Sequence, residues 1–226
     1  MEQSQSRQWV ETLPSPQGIL ENIQKHGRKS LVKSGLPTKD LEPWRLTDLK
    51  RLEKLLGLSL SKKIKDVSSI STGSWPNKPK NGLRIVLDPQ DYCENLTLPP
   101  GIRQLTVNEL QHHLSKTIEH DLNNQNWALA FNQATTNQIL ALRIEDQGLA
   151  QLELVIPAQS NALTPTRVII FMEEHSKLQL LQVALGSENS AHSHSLEIHL
   201  EKHAVLNHGF VALGGEKAIC LANFSI

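Results

Sequence analysis

The stretch ILALRIEDQGLAQLELVI, residues 139–156, marks the start of a β-rich part of the chain, because two apolar β-type segments flank an Asp-Gln-Gly turn. Further segments of the same type follow, at 167–172, 178–185, 195–200, 204–210 and 218–224. Turn residues separate them at fairly even intervals, and no helical crossover intervenes. Such spacing predicts a sandwich, a barrel or a β-solenoid, and periodicity alone does not choose among these architectures.

The residues that precede this series are predicted to form a mainly helical part, residues 1–135. Apolar residues recur there at near-helical spacing up to Gly35 and Pro37. These two end the helix, because proline biases the residue before it away from helical geometry. Thr47 is predicted to cap the next helix, over residues 47–57.

A short strand unit and two more helices complete this helical part. Residues 83–87 are predicted to form a buried strand, and Thr106 with Glu109 forms a capping box ahead of a helix. Another short helix is expected over 127–134. A stretch rich in Ser, Lys, Gly and Pro near residues 61–80 indicates a linker. The predicted organisation is therefore a part of residues 1–135 followed by a β part of residues 136–226.

Composition excludes several classes of function. The 226 residues carry 23 basic and 23 acidic side chains, which argues against a nucleic-acid partner held by phosphate contacts. No apolar run approaches the roughly 20 residues that span a bilayer, and the polar start is unlike a secretory signal. Cys93 and Cys220 are isolated, so neither a disulfide framework nor a zinc site is indicated. Between Ile219 and Leu221, Cys220 is expected to be buried and inert. The chain is predicted to be cytoplasmic, or stromal if it comes from a plastid.

Five of the ten histidines fall close together in the β part: His192, His194, His199, His203 and His208. His192 and His194 are expected to share one strand face, and His199 the opposite face, because side chains alternate along a strand. Two imidazoles on one face could hold iron, zinc or manganese with Glu197 or Glu201. Exposed or stacked histidines with no metal are the other interpretation.

The same pair of histidines raises an enzymatic alternative. Gly186, His192 and His194 approach the first motif of cupin metal enzymes, although the carboxylate spacing does not fit and no second motif follows. On the predicted strands of the β part, four polar residues are predicted to face outward, namely Gln179, Gln182, Glu197 and Lys202.

The segment LPTKDLEPWRLTDL, residues 36–49, combines Leu-Pro-Thr, then Glu-x-Trp-Arg-x-Thr, then an apolar helix. This arrangement resembles the N-terminal signature of the SufB/SufD family of iron–sulfur cluster assembly scaffold proteins, in its SufD form. Residues 127–134, WALAFNQA, are similar to the family's ALN-x-A element, with Phe131 where Leu is usual. Residues 166–170 and 204–208 resemble consecutive rungs of the family's β-helix.

The resemblance implies an α+β fold, with a helical N-terminal domain followed by a right-handed parallel β-helix. It also implies a scaffold without enzymatic activity, with no catalytic, cofactor-binding or metal-binding residues in this chain. The implied partners are SufB and the ATPase SufC, and the iron–sulfur cluster and ATP belong to partner subunits of the complex. A homodimer is a further possibility left open.

Members of that family are longer than this chain, and residues 220–226 resemble a strand within a β-helix. We therefore expect an incomplete β-helix that lacks the family's C-terminal helical domain. That domain carries the docking surface for SufC, so docking of SufC on these residues alone is not expected. An inactive β-solenoid fragment is the remaining alternative to the scaffold and to the cupin-like enzyme.

Overall fold

The structure, a computed structural model, describes residues 2–62, 82–88, 96–121 and 126–226. It has an α+β fold, in which N-terminal helices precede parallel strands that coil into a β-helix of about three turns. This confirms the predicted fold class and selects the solenoid from the three architectures that spacing allowed. Most of the predicted linker near 61–80 lies outside the described residues.

The elements are named in chain order. The α-helices are α1 Glu2–Thr12, α2 Glu21–Ser34, α3 Leu49–Leu55, α4 Val107–Asp121 and α5 Trp127–Thr135. The strands are β1 Ser59–Leu60, β2 Leu83–Val86, β3 Ile102–Gln104, β4 Leu140–Ile144, β5 Leu149–Ile156, β6 Ala162–Met172, β7 Lys177–Leu185, β8 Ala191–Leu200, β9 Val205–Leu213 and β10 Ile219–Ser225. Among the described helices, none has both the length and the apolar character needed to cross a lipid bilayer.

Two sheets form the walls of the β-helix. The first has the strand order β10-β8-β6-β4-β3, with β1 also paired to β6, and the second has the order β2-β5-β7-β9. All of these ladders are parallel except the pairing of β3 with β4. The short strands β2 and β3 thus join the sheets from the predicted helical part. The predicted division between residues 135 and 136 stays a prediction.

The turns of the β-helix repeat with a period of 28 residues. Leu163 pairs with Ala191 and Ala191 with Ile219, so the partners stand at 163, 191 and 219. The same step separates Gln147, His175 and His203, which adopt left-handed backbone angles with φ of 57°, 59° and 62°. Since non-glycine residues seldom adopt such angles, their recurrence marks the same tight turn in each rung.

Aliphatic side chains fill the interior of the β-helix. Alternate residues of both sheets point inward, as the pleat of a strand requires, and form one buried cluster. Its members include Leu142, Leu154, Ile170, Leu180 and Ile198, each at most 3% exposed.

The helices cover the outer face of the first sheet. Trp9 of α1 stacks on Phe131 of α5 with ring centroids 5.0 Å apart, and both belong to a cluster that includes Leu163 of β6. Helix α2 approaches α5 so closely that a Cβ atom at Gly27 would lie 2.6 Å from the Ala134 nitrogen. Only glycine fits there without a shift of one helix, which explains this residue in mid-helix.

The predicted helix over 47–57 is shorter in the structure and is capped by a different residue. Helix α3 begins at Leu49, and the Asp48 side chain accepts a hydrogen bond of 3.2 Å from the Lys50 backbone N–H. The prediction that Thr47 is the cap is wrong. Its backbone N–H bonds instead to the Trp44 carbonyl at 3.0 Å, in the turn that precedes the helix.

Other predicted elements are found close to their expected positions. The backbone N–H of Thr106 donates to Glu109 Oε2 at 2.8 Å, and that of Glu109 donates to Thr106 Oγ1 at 3.3 Å, which confirms the capping box. Strand β5 has the predicted bounds. Strands β6 and β8 begin five and four residues earlier than predicted, because polar residues such as Thr164 and His192 are paired within the ladder.

Candidate functional site

Strand β8 presents two sets of polar side chains on its two faces. Its even-numbered residues, among them His192 and His194, point into the β-helix with Leu196 and Ile198. Its odd-numbered residues, among them Glu197 and His199, lie on the outer face of the sheet. The predicted separation of His199 from the His192/His194 pair agrees with this arrangement.

The inner set is a hydrogen-bonded network that we call the inner histidine network, made of His194, His208, Gln182 and Thr166. The Gln182 amide donates from Nε2 to His194 Nε2 at 2.7 Å, and its Oε1 accepts from His208 Nε2 at 2.9 Å. His194 Nδ1 lies 2.7 Å from Thr166 Oγ1. Because Nε2 accepts, the proton of His194 is on Nδ1 and the ring is neutral.

Burial dictates the charge state of this network. Burial first, and then the neighbouring His192 and His208, lower the pKa of His194 to about 3. Burial also lowers the pKa of His192, whose Nε2 donates to the Leu185 carbonyl at 3.1 Å, and that of His208. His192 and His194 therefore act as neutral hydrogen-bonding groups in the core, whereas His208 is partly exposed.

Two predictions about this region need correction. Gln182 was expected to face outward, but it is fully buried, because it shares the inward parity of Leu180 and Ala184 on β7. Glu197 lies on the outer face of β8, as predicted, where His113 of α4 partly covers it. The carboxylate considered as a ligand beside the His192/His194 pair is therefore on the opposite face of the strand from that pair. Gln179 and Lys202 are exposed as predicted.

Neither of the two carboxylates considered as metal ligands lies beside the His192/His194 pair. Glu197 is on the other face, and Glu201 is exposed beyond the end of β8. The parallel ladders also differ from the double-sheet jelly roll on which cupin sites are built. His203 lies in a turn, where its ring stacks on His175 with centroids 5.2 Å apart.

The outer set forms a cluster that we call the outer triad, made of His113, Glu197 and His199. His113 comes from α4, and its Nε2 lies 3.0 Å from Glu197 Oε1. His199 Nε2 lies 2.9 Å from the same oxygen. One nitrogen or oxygen from each side chain lies within 4.8 Å of the others. One carboxylate oxygen is therefore shared by two imidazoles that come from different elements.

Neighbouring side chains hold the outer triad in place. Arg167, which is 1% exposed, lies with its guanidinium 3.5 Å from Glu197 Oε2. The Phe171 ring stacks on His199 with centroids 4.6 Å apart and meets His113 edge-on at 5.0 Å. Burial alone would raise the pKa of Glu197. The hydrogen bonds from both histidines and the charge of Arg167 outweigh burial and hold this pKa well below its usual range.

Sequence reasoning singled out Glu197 and His199 separately, Glu197 as a ligand beside the His192/His194 pair and His199 on the opposite face, and did not consider His113. Glu197 and His199 are two residues apart on a strand, a spacing that places them on one face. His113 lies far earlier in the chain, on the helix α4, which packs on the sheet through Leu110 and Leu114. Local spacing contains no signal for such a contact.

Cys220 was expected to be buried, and the structure corrects this. The residue is exposed on β10, which among the described strands pairs only with β8 and so lies at the edge of the first sheet. An apolar sequence context therefore did not imply burial at the edge of the sheet.

Comparison with known proteins gives no relative for this chain. No protein-family model, no curated protein and no solved structure matches it.

Proposed function

We propose that this chain is a SufD-like scaffold subunit of iron–sulfur cluster assembly, without enzymatic activity of its own. The observation that carries the proposal is that two segments that resemble the SufB/SufD family pack together. Trp44 of the first segment meets Trp127 of the second edge-on, with ring centroids 5.7 Å apart. Trp127 Nε1 also donates to the Gly35 carbonyl at 2.9 Å, next to the start of the first segment. The contact gives both motifs a common structural role.

The β-helix supports the same proposal. The two segments that resemble family rungs, residues 166–170 and 204–208, fall mainly in β6 and β9, which belong to successive turns. A ladder with a constant repeat is stiff, because backbone hydrogen bonds join each strand to the strand of the next rung. Stiffness of this kind suits a subunit whose role is architectural.

In the proposed mechanism, the β-helix offers a rigid edge that pairs with the homologous subunit SufB. ATP hydrolysis by SufC would drive the shape changes that let a nascent cluster form and leave. The cluster is cargo and ATP is bound by SufC, so neither is a cofactor of this chain. The chain would contribute to iron supply, in the cytoplasm or in a plastid stroma.

Co-expression with SufB and SufC from the same genome tests this proposal. We expect native mass spectrometry to detect a stoichiometric complex of the 226-residue chain with SufB. Phe224 of β10 is 41% exposed, so F224D should weaken the complex if SufB pairs along this edge. Leu46 is 94% exposed in the helical part, and L46D is the control for a charge added elsewhere on the surface. Because the Phe224 ring packs on Phe210, circular dichroism must first show that F224D is folded.

Two outcomes would contradict the proposal. The first is a chain that is folded by circular dichroism and yet forms no complex with SufB. The second is equal loss of the complex in L46D and F224D, which would reject pairing along this edge. A stoichiometric complex with SufC alone would overturn the expectation that these residues do not dock that ATPase.

A further inference from the structure

The outer triad has the composition of a metal site. Two imidazoles and one carboxylate form a donor set found in zinc sites, and the same set suits other divalent first-row metals. We propose that His113, Glu197 and His199 bind one divalent transition-metal ion of the zinc class, and that the ion fastens α4 to β8. This site does not depend on the proposed scaffold function.

The distances fit such an ion. A tetrahedral zinc with ligands at about 2.0–2.1 Å separates its ligand atoms by about 3.3 Å. In the structure, Glu197 Oε1 lies 3.0 Å from His113 Nε2 and 2.9 Å from His199 Nε2. Each contact needs to lengthen by only a few tenths of an ångström. The donor nitrogens of the two rings lie within 4.8 Å of each other, so the third side must shorten by at most about 1.5 Å to reach the tetrahedral separation.

The protonation chemistry also fits. Each imidazole now presents Nε2 to Oε1 of an ionised carboxylate, so each Nε2 carries a proton. When a metal binds, both nitrogens present lone pairs, and the ring protons reside on Nδ1. Glu197 is already ionised, and its negative charge offsets part of the charge of the ion.

Surrounding residues define the geometry of the site. Arg167 lies beside Oε2 of Glu197, which leaves Oε1 to point between the two rings. Thr117 Oγ1, one turn along α4, lies 3.3 Å from His113 Nε2. His199 is 42% exposed, so an ion can enter from that side and keep water as its fourth ligand. The guanidinium charge lowers the affinity, so moderate binding is expected rather than the tightest structural kind.

Isothermal titration of the metal-free 226-residue chain with Zn²⁺ tests the site. We expect one ion per chain, with H199A and E197Q each weakening binding by more than about 100-fold, since even second-shell partners cost about 10–100-fold. His112 is the exposed neighbour of His113 on α4, and H112A should change the affinity less than about twofold. Titration with Co²⁺ should produce visible absorption bands that disappear in H199A.

A second histidine pair, His175 with His203, is the alternative site for a bound ion. His175 stacks on His203 in the turns, and its Nδ1 lies 3.5 Å from Asp146 Oδ1. Loss of the bound ion in the H175A/H203A variant, with binding retained in H199A, would reject the outer triad. Absence of stoichiometric Zn²⁺ binding by the wild-type chain would also reject it. If E197Q does not fold, H199A decides, because it removes a partly exposed ring.

Discussion

The two faces of strand β8 place histidines in opposite chemical surroundings. On the inner face, His194 hydrogen-bonds to two neutral partners, the Gln182 amide and the Thr166 hydroxyl. On the outer face, His199 meets an ionised carboxylate, Glu197, within hydrogen-bond distance. Since neighbouring residues of one strand alternate between these surroundings, the partner groups decide whether an imidazole is a structural or a metal-binding candidate.

Burial separates the two faces further. His194, at the centre of the inner histidine network, is enclosed among aliphatic and aromatic side chains, where a charged imidazole would lose its hydration. The outer triad is open to solvent at His199 and contains a carboxylate that can balance a cation. The inner face therefore favours neutral hydrogen bonding, and the outer face favours charge.

Removal of the inner imidazole should cause the largest effect. We expect H194A to lower the free energy of unfolding by about 3 kcal/mol, because Gln182 and Thr166 lose partners in the core and a cavity remains. Urea denaturation measures this change. The control H112A removes an exposed imidazole from α4 and should cost less than about 0.5 kcal/mol. A cost below about 1 kcal/mol for H194A would mean that the inner network does not stabilise the fold.

The inner face should also make the protein sensitive to acid. The pKa of His194 is about 3 in the folded chain, below the ordinary value of 6.5, so the unfolded chain binds more protons between these pH values. Its stabilising effect is fully present above pH 6.5 and falls as the pH decreases. At pH 5 this single residue should cost about 2 kcal/mol relative to pH 7.5.

Urea denaturation of wild type and H194Q between pH 7.5 and pH 4.5 measures this dependence. Glutamine does not titrate, so the variant should lose less stability over that range than the wild type. Parallel curves for the two proteins would show that His194 does not take up the protons on unfolding.

Loss of the outer carboxylate should have a smaller effect. In E197Q, Arg167 stays buried while the negative charge beside its guanidinium is removed, and two imidazoles lose a charged acceptor. We expect a decrease of about 1–2 kcal/mol in metal-free buffer, since hydrogen bonds to charged groups are worth about 1.5–3 kcal/mol and the amide retains part of them. The exposed E201Q is the control, and an equal effect of both variants would contradict the assignment.

The sequence predicted the elements well where local chemistry determines them. The capping box at Thr106 and the bounds of β5 depend on neighbours within a few residues, so local patterns suffice. The early starts of β6 and β8 were missed, because Thr164 and His192 are polar and yet pair in a buried ladder. In a sequence alone, polar residues buried inside a β-helix cannot be distinguished from turn residues.

The 28-residue repeat was not visible in the sequence for a related reason. One column of the first sheet contains Thr166, His194 and Ala222, which share no side-chain chemistry. A parallel ladder requires only that each residue can pair through its backbone and fill its space, so the residue type need not repeat from one rung to the next. The choice of a β-helix therefore came from the family resemblance. Similarly, His113 joins the outer triad because α4 packs on the sheet, and no local sequence pattern indicates that packing.

The smallest expected effect on stability is that of H199A in the absence of metal. The ring is 42% exposed, and its main packing contact is the stack on Phe171, worth about 0.5–1.5 kcal/mol for a well-packed aromatic pair. We expect a loss of about 0.5 kcal/mol in chelator-treated buffer, measured by urea denaturation. With Zn²⁺ added, the wild type should gain stability as the ion binds the folded chain, and H199A should not. A cost above about 2 kcal/mol without metal would instead make His199 a core residue, and the contrast between the two faces of β8 would then fail.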